Sequence, residues 1–413
     1  MNARVAVIGS GIAGLTAAYL LSRRYEVIVF EKEGRIGGHT HTVTAETLDG
    51  SVPVDTGFIV HNPTRYPNFV RLMNELGVLT APSDMSFAFH GRGLEWCSRG
   101  LNGLLTQRKN LFKPSFWSLW REVMRFNRVA RRLLEDENTT LTLGAFLVRH
   151  AFGASFRRHY LYPMTAAIWS AGLAEMDAFP AITLVRFLAH HGMLGFTTQY
   201  PWRTIAGGTS RYLAPLTRPF RERLHVGVQP RSIRRSKHGL TLELEGAGPV
   251  EVEQVVIAVH GDQVLDLLAE PTAREREVFG AFRTNRHEAW LHKDLSILPR
   301  HRRSWASWNY RESGDDNRLL LTYHMNRLQP LPTREDLLLS LDPHGAVDEG
   351  KVLQRFVYEH PRYDLAAEQA RARWAEVSGR DRIHYAGAYW GSGFHEDGVL
   401  SGVKIAESLG VKW

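Results

Sequence analysis

Apolar residues open the chain in short runs broken by glycine. Val5, Val7 and Ile8 read as a buried strand over residues 4–8, and the Ala- and Leu-rich stretch after them reads as a helix to about Arg24. Glu26 to Phe30 reads as a second strand. Strand, helix and strand in immediate succession predict a parallel α/β unit. From about Leu76 to Thr204 the pattern changes to bulky apolar residues at helical spacing, with Phe116, Trp117, Trp120, Val123, Met124 and Phe126 as core-facing positions. Strand-like runs return at Leu224 to Pro230, Leu240 to Leu244 and Val255 to Val259, the last leading into a helix near Asp262 to Leu268. Residues 282–373 alternate strand-like and helical pieces. The chain closes on a strand, a loop and a helix.

The glycines between the first strand and helix carry the earliest chemical signal. In Gly9-Ser10-Gly11-Ile12-Ala13-Gly14, Gly9 permits a tight turn, Gly11 lets backbone approach a pyrophosphate, and Gly14 lets the helix pack on the strand. The helix N-terminus, at Ile12 and Ala13, then faces the anion. Glu31 ends the second strand, where a carboxylate accepts from a ribose diol and disfavours a 2′-phosphate. Up to this point NAD and FAD are equal candidates.

Charge and composition narrow the setting. Lys and Arg number 51 against 43 acids, a net +8 spread over short clusters such as Arg234, Arg235 and Lys237. Solvated surface is the plain reading of these clusters; no nucleic-acid motif accompanies them, so no nucleic-acid partner is expected, and an anionic membrane surface is the alternative that fits the excess. Cys97 is single, so an intramolecular disulfide is excluded, which suits a reducing cytoplasm. Val5 to Ser22 is uncharged, yet its glycines break the continuous run that a signal or anchor segment needs. The expectation is a cytoplasmic protein, peripheral at the inner face of the cell membrane. His190 and His191 lack further ligands, so no metal site is expected.

The residues after Glu31 make the pattern specific. Glu31-Lys32-Glu33-Gly34-Arg35-Ile36-Gly37-Gly38-His39-Thr40 resembles the signature of the amine-oxidase-type FAD superfamily, which includes monoamine and polyamine oxidases, protoporphyrinogen oxidases and carotenoid desaturases. The resemblance implies FAD, with Arg35, Gly37 and Gly38 at its phosphates and Lys32, His39 and Thr40 alongside. It extends to Asp55-Thr56-Gly57, to Gly207-Gly208, to Val228 beside the adenine, and to Gly387, Gly398 and Val399 in a closing flavin segment. The implied fold is α/β: a discontinuous Rossmann-like FAD-binding domain (residues 1–75, 205–281 and 374–413) with an interleaved α+β substrate domain (76–204 and 282–373).

Two features depart from that family. Ala388 stands where an acid is common, and the segment Asn285 to His292 carries no lysine where many amine oxidases place one near the flavin. Tyr389, Trp390, His395 and Glu396 are instead the candidate catalytic groups: the aromatics as a cage, His395 or Glu396 as proton acceptor. The whole pattern resembles a bacterial branch often encoded beside cyclopropane-fatty-acid-synthase-like methyltransferases. That resemblance implies desaturation of a fatty acyl chain of a membrane lipid, in concert with a lipid methyltransferase. A flavin amine oxidase acting on a small molecule and a non-catalytic flavin-binding protein are the alternatives.

Overall fold

The structure is a computed structural model and describes residues 3–91, 93–136, 140–169, 172–195, 200–246, 248–312, 319–343 and 345–413. Its first layer is a five-stranded parallel sheet in the order Leu224–Val226, Glu26–Glu31, Arg4–Ile8, Gln254–Ile257 and Ile383–Tyr385. Widely separated stretches of the chain therefore build one sheet. Val7 sits between Val29 and Val256 in register. Alternate residues of the central strand feed different cores: Val5 and Val7 pack with the opening helix, Ile12–Leu21, while Ala6 and Ile8 pack with Phe279 and Tyr385. Burial on both faces explains why these strands read as nearly continuous apolar runs.

The last helix, His395–Ser408, lies against the opening helix. Glycine makes that contact close: a Cβ at Gly398 would stand 2.7 Å from Ile12 Cγ2, and one at Gly402 would stand 2.7 Å from the Ala13 carbonyl oxygen. Val399 is fully buried beside them.

A seven-stranded sheet forms the second body, in the order Val352–Pro361, Thr284–His292, Leu338–Leu341, Leu319–His324, Trp308–Glu312, Phe87–Gly91 and Leu94–Cys97. It is antiparallel except where Trp308–Glu312 meets Phe87–Gly91. The long helix Pro114–Asp136 packs with Ala181–His190, burying Phe116, Trp120, Val123 and Phe126 as the spacing predicts; Trp117 and Met124 face solvent instead. A small sheet pairs Trp202–Ile205 with Val60–His61 and with Thr80–Ser83. Among the described residues no helix is long and apolar enough to cross a membrane.

Candidate active site

The loops after Ile8, Glu31, Ile257 and Tyr385 leave the carboxyl edge of the parallel sheet, the position where open α/β sheets bind ligands in a crevice. Gly9 has φ +100° and passes so close to the end of Gln254–Ile257 that a Cβ would lie 2.6 Å from the Ala258 carbonyl oxygen. A Cβ at Gly14 would meet the Gly9 oxygen at 2.0 Å, so only glycine fits. At Gly11, by contrast, a Cβ would meet nothing within 4 Å. This open surface lies where the opening helix starts, and no side chain caps its first-turn N–H groups. The second glycine segment folds onto the first: Gly37 N donates to the Ser10 carbonyl (3.0 Å), and a Cβ on Gly38 would sit 3.2 Å from Gly11 Cα. Uncapped helix N–H groups beside side-chain-free backbone fit a pyrophosphate.

Glu31 is buried and already accepts from Ser10 N (2.8 Å), Ser10 Oγ (2.5 Å) and Glu33 N (2.9 Å). Those bonds fix its orientation, and a carboxylate has room for about one more donor, the share a ribose hydroxyl would take. Val228 N donates to the Glu31 carbonyl at 2.8 Å, which puts Val228 next to the acid. Arg35 Nη1 donates to the Gly38 carbonyl (2.6 Å), so its charge borders the crevice; Lys32 is exposed.

The middle segments are framework around this crevice. Asp55 Oδ1 accepts from Thr42 Oγ1, Thr209 N and Thr209 Oγ1, and Oδ2 accepts from Gln329 Nε2. Burial pushes its carboxyl up to about 6 against those bonds. Asp55 thus anchors the Gly207-Gly208 turn to Thr42, and its acceptor capacity is spent on protein. Thr56 Oγ1 bonds the Tyr358 hydroxyl (2.6 Å), and Gly57 passes under His39, where a Cβ would lie 2.2 Å from the His39 oxygen. Thr40 Oγ1 bonds the Tyr212 hydroxyl, and Gly387 N donates to Ser401 Oγ at 3.0 Å.

The closing segment departs from expectation. Tyr389 and Trp390, expected as an aromatic cage, pack instead in the core with Phe279 and Phe282, Tyr389 4.9 Å and Trp390 5.2 Å from the Phe282 ring centroid. Glu396 does not face the crevice as a free acid. It accepts from Asn68 N (3.1 Å), Asn68 Nδ2 (2.6 Å) and Phe69 N (2.9 Å), so it caps the helix Pro67–Glu75. Asp397 accepts from Ser392 N and Phe394 N and caps its own helix. His395 stacks on Phe58 with centroids 3.5 Å apart, its Nε2 3.3 Å from Thr40 Oγ1. Burial, with His39 and His61 nearby, holds its ring well below the usual histidine range, which makes it a poor proton acceptor.

What the sequence reading missed is a row of imidazoles along the other wall. His39 follows Gly38; its ring lies 5.1 Å from His360, 6.1 Å from His260 and 5.4 Å from Tyr358. His360 lies 5.3 Å from His287. His287 Nδ1 bonds Asp342 Oδ2 at 2.6 Å. The rings are half-buried, yet His39 Nε2, His360 Nδ1 and His287 Nε2 are enclosed with no hydrogen-bond partner. Burial pulls His39 down to about 3 and His360 well below the usual range, so both rings are neutral.

A family model described as flavin containing amine oxidoreductase matches residues 12–336. The chain belongs to that family. AofH of Mycobacterium tuberculosis, named after flavin-containing monoamine oxidases, is 26% identical over 276 residues, 62% of this chain and 56% of its own length. The chain thus spans about half the length of the curated relative it matches. Among solved structures, cyclohexylamine oxidase from Brevibacterium oxydans superposes with a TM-score of 0.73 at 15% identity, covering 99% of this chain and 100% of that one. A fatty acid isomerase of P. acnes superposes with a TM-score of 0.68 at 15% identity, covering 97% of each chain. The fold of this flavin-containing family is therefore shared along the whole chain. FAD is the cofactor of this family, and the glycine segments with Glu31 are the residues that would hold it.

Proposed function

We propose that the chain dehydrogenates an apolar substrate, a fatty acyl chain of a membrane lipid. Bound FAD supplies the two-electron oxidation. The carrying observation is the wall where the substrate body meets the closing segment. Phe394, immediately before the last helix, belongs to the apolar clusters of both bodies, 4.8 Å from Phe187 and 6.2 Å from Trp169 by ring centroid. The nearby acids Glu396 and Asp397 are committed to backbone N–H groups, so this wall offers an alkyl chain contact area and offers an ammonium ion little.

A second observation supports delivery from a lipid surface. Trp117, Arg121, Met124 and Arg128 are exposed along one face of the helix Pro114–Asp136, and Leu101, Lys109, Phe112 (88% exposed) and Lys113 are exposed in the segments before it. Apolar side chains interleaved with cations suit the headgroup boundary of an anionic membrane. Supply of the modified acyl chain by a lipid methyltransferase remains part of this reading.

The rival reading is an amine substrate, in keeping with the names of several relatives. Asp262 is the carboxylate it would use, because Oδ1 is enclosed without a partner while Oδ2 accepts from Thr284 Oγ1. Incubation of FAD-loaded protein with acyl phospholipids and, separately, with primary amines distinguishes the two. The lipid reading expects a product lighter by two hydrogens and no aldehyde from amines; aldehyde formation with untouched lipid overturns it.

A further inference from the structure

We propose that His287, held by Asp342, is the proton acceptor of the flavin site. The proposal rests on the dehydrogenation reading only for the identity of the proton donor. His287 and Asp342 come from different strands: Thr284–His292 pairs antiparallel with Leu338–Leu341, and Asp342 lies one residue past the end of that pair. Asp342 takes a left-handed conformation, φ +46°, there. Its Oδ1 accepts from Glu288 N (2.8 Å) and its Oδ2 from His287 Nδ1 (2.6 Å). The carboxylate is thereby fixed in place before any ligand arrives.

That single bond sets the tautomer. With Nδ1–H donating to a carboxylate, the proton is absent from Nε2, whose lone pair is left free. Nε2 is also enclosed and unpartnered, and the ring lies 5.3 Å from that of His360, the next in the row toward His39. The other rings in the row cannot take this part: among the described residues no carboxylate is hydrogen-bonded to His39, His260 or His360, and burial keeps all three neutral. His395 has only a hydroxyl beside it. Among the described residues His287 is the ring of this row that a carboxylate holds by a hydrogen bond.

The row of histidines is not a metal centre, since among the described residues no group of three or more histidine, cysteine or acidic side chains has the geometry to hold an ion. A proton relay is consistent with it. Bound FAD would supply the two-electron oxidation, taking a hydride from one substrate C–H, while His287 Nε2 would accept the proton of the neighbouring C–H; the electron pair left behind would form the C=C bond. Asp342 is a positioning residue in this scheme.

The titratable groups that face His287 are Asp342 beyond Leu338–Leu341, His360 and Tyr358 from Val352–Pro361, and His39 and His260 beyond His360. Arg286 and Glu288 belong to the opposite face of its own strand. Only Asp342 among the facing groups is an acid.

The test uses FAD-loaded wild type, H287Q and D342N. When bound FAD is reduced chemically without substrate near neutral pH, wild type should take up about one proton more per flavin than H287Q, because the charge of the reduced cofactor draws a proton onto the ring. With substrate, anaerobic flavin reduction should slow at least about 100-fold in H287Q. D342N should lower the limiting rate about tenfold or more while leaving the substrate concentration for half-maximal rate unchanged. All three proteins should bind FAD alike. Equal proton uptake by wild type and H287Q, with FAD bound in both, overturns the assignment, and so does an unchanged rate of reduction. If neither lipid nor amine reduces the wild-type flavin, the substrate reading fails while the proton count still decides on His287.

Discussion

Two corners of the crevice carry titratable side chains, and they differ in what their hydrogen-bonding capacity is used for. At the start of the last helix, Glu396 and Asp397 cap two helices and His395 stacks on Phe58 beside Thr40. At the junction of Thr284–His292 and Leu338–Leu341, Asp342 uses its carboxylate to orient His287 and leaves one enclosed nitrogen free. Both corners are buried and polar. Burial near a cofactor therefore does not identify a chemical group; unspent acceptor capacity does.

The largest expected effect separates the corners from the cofactor itself. Gly14→Val would drive a side chain into the Gly9 carbonyl, and the purified protein should be colourless and resist reconstitution with FAD. Retention of stoichiometric flavin by this variant would contradict the placement of the pyrophosphate. Next comes the contrast between the corners. H287Q should keep its thermal midpoint and lose flavin reduction, whereas Glu396→Ala should keep reduction within about threefold and lose about 1 kcal/mol of stability, the usual cost of a helix cap. Chemical denaturation and stopped-flow absorbance read the two quantities, and an exchange of phenotypes would reverse the roles assigned here.

The histidines also set the acid limb of stability. His61, His191, His292 and His384 are buried, and burial lowers each to about 4. A histidine depressed in the folded state contributes stability above about 6.5 that is lost as pH falls toward 4, because the unfolded chain binds the proton first. Asp55 and Asp397 act in the opposite sense: each is raised to about 6, so its contribution is full below about 4 and is lost as pH rises through 6. More groups act in the first sense, so denaturation midpoints should fall between pH 6.5 and 4.5, by at most about 1.4 kcal/mol per pH unit for each histidine. A midpoint that rises over this interval would show those rings to be protonated in the fold. The smallest effect concerns the exposed strip: Phe112→Ser with Trp117→Ser should weaken sedimentation with anionic vesicles about tenfold and leave flavin content unchanged.

How much was legible follows from the same contrast. Gly9 to Gly14, Glu31 and Arg35 to Gly38 act through backbone within one βαβ unit, so their spacing along the chain is their spacing in space. The strand Arg4–Ile8 appears with the bounds that its apolar run implies. Asp342 and His287 are separated by 55 positions and meet only through strand register, which no local pattern encodes. Glu396 looked chemical because its partners, Asn68 and Phe69, stand more than 300 positions away. The aromatic pair Tyr389-Trp390 carries no local mark telling it from core, and Phe279 and Phe282 decide that it is core. His39 and His260, each just beyond a glycine loop or strand end at the crevice, were the readable sign of the histidine wall.

The most direct measurement is anaerobic mixing of FAD-loaded wild-type protein with acyl phospholipid vesicles and with a panel of primary amines, following flavin absorbance. Bleaching by the lipid and not by the amines is the expected result. Bleaching by amines alone would contradict the assignment of an apolar acyl substrate.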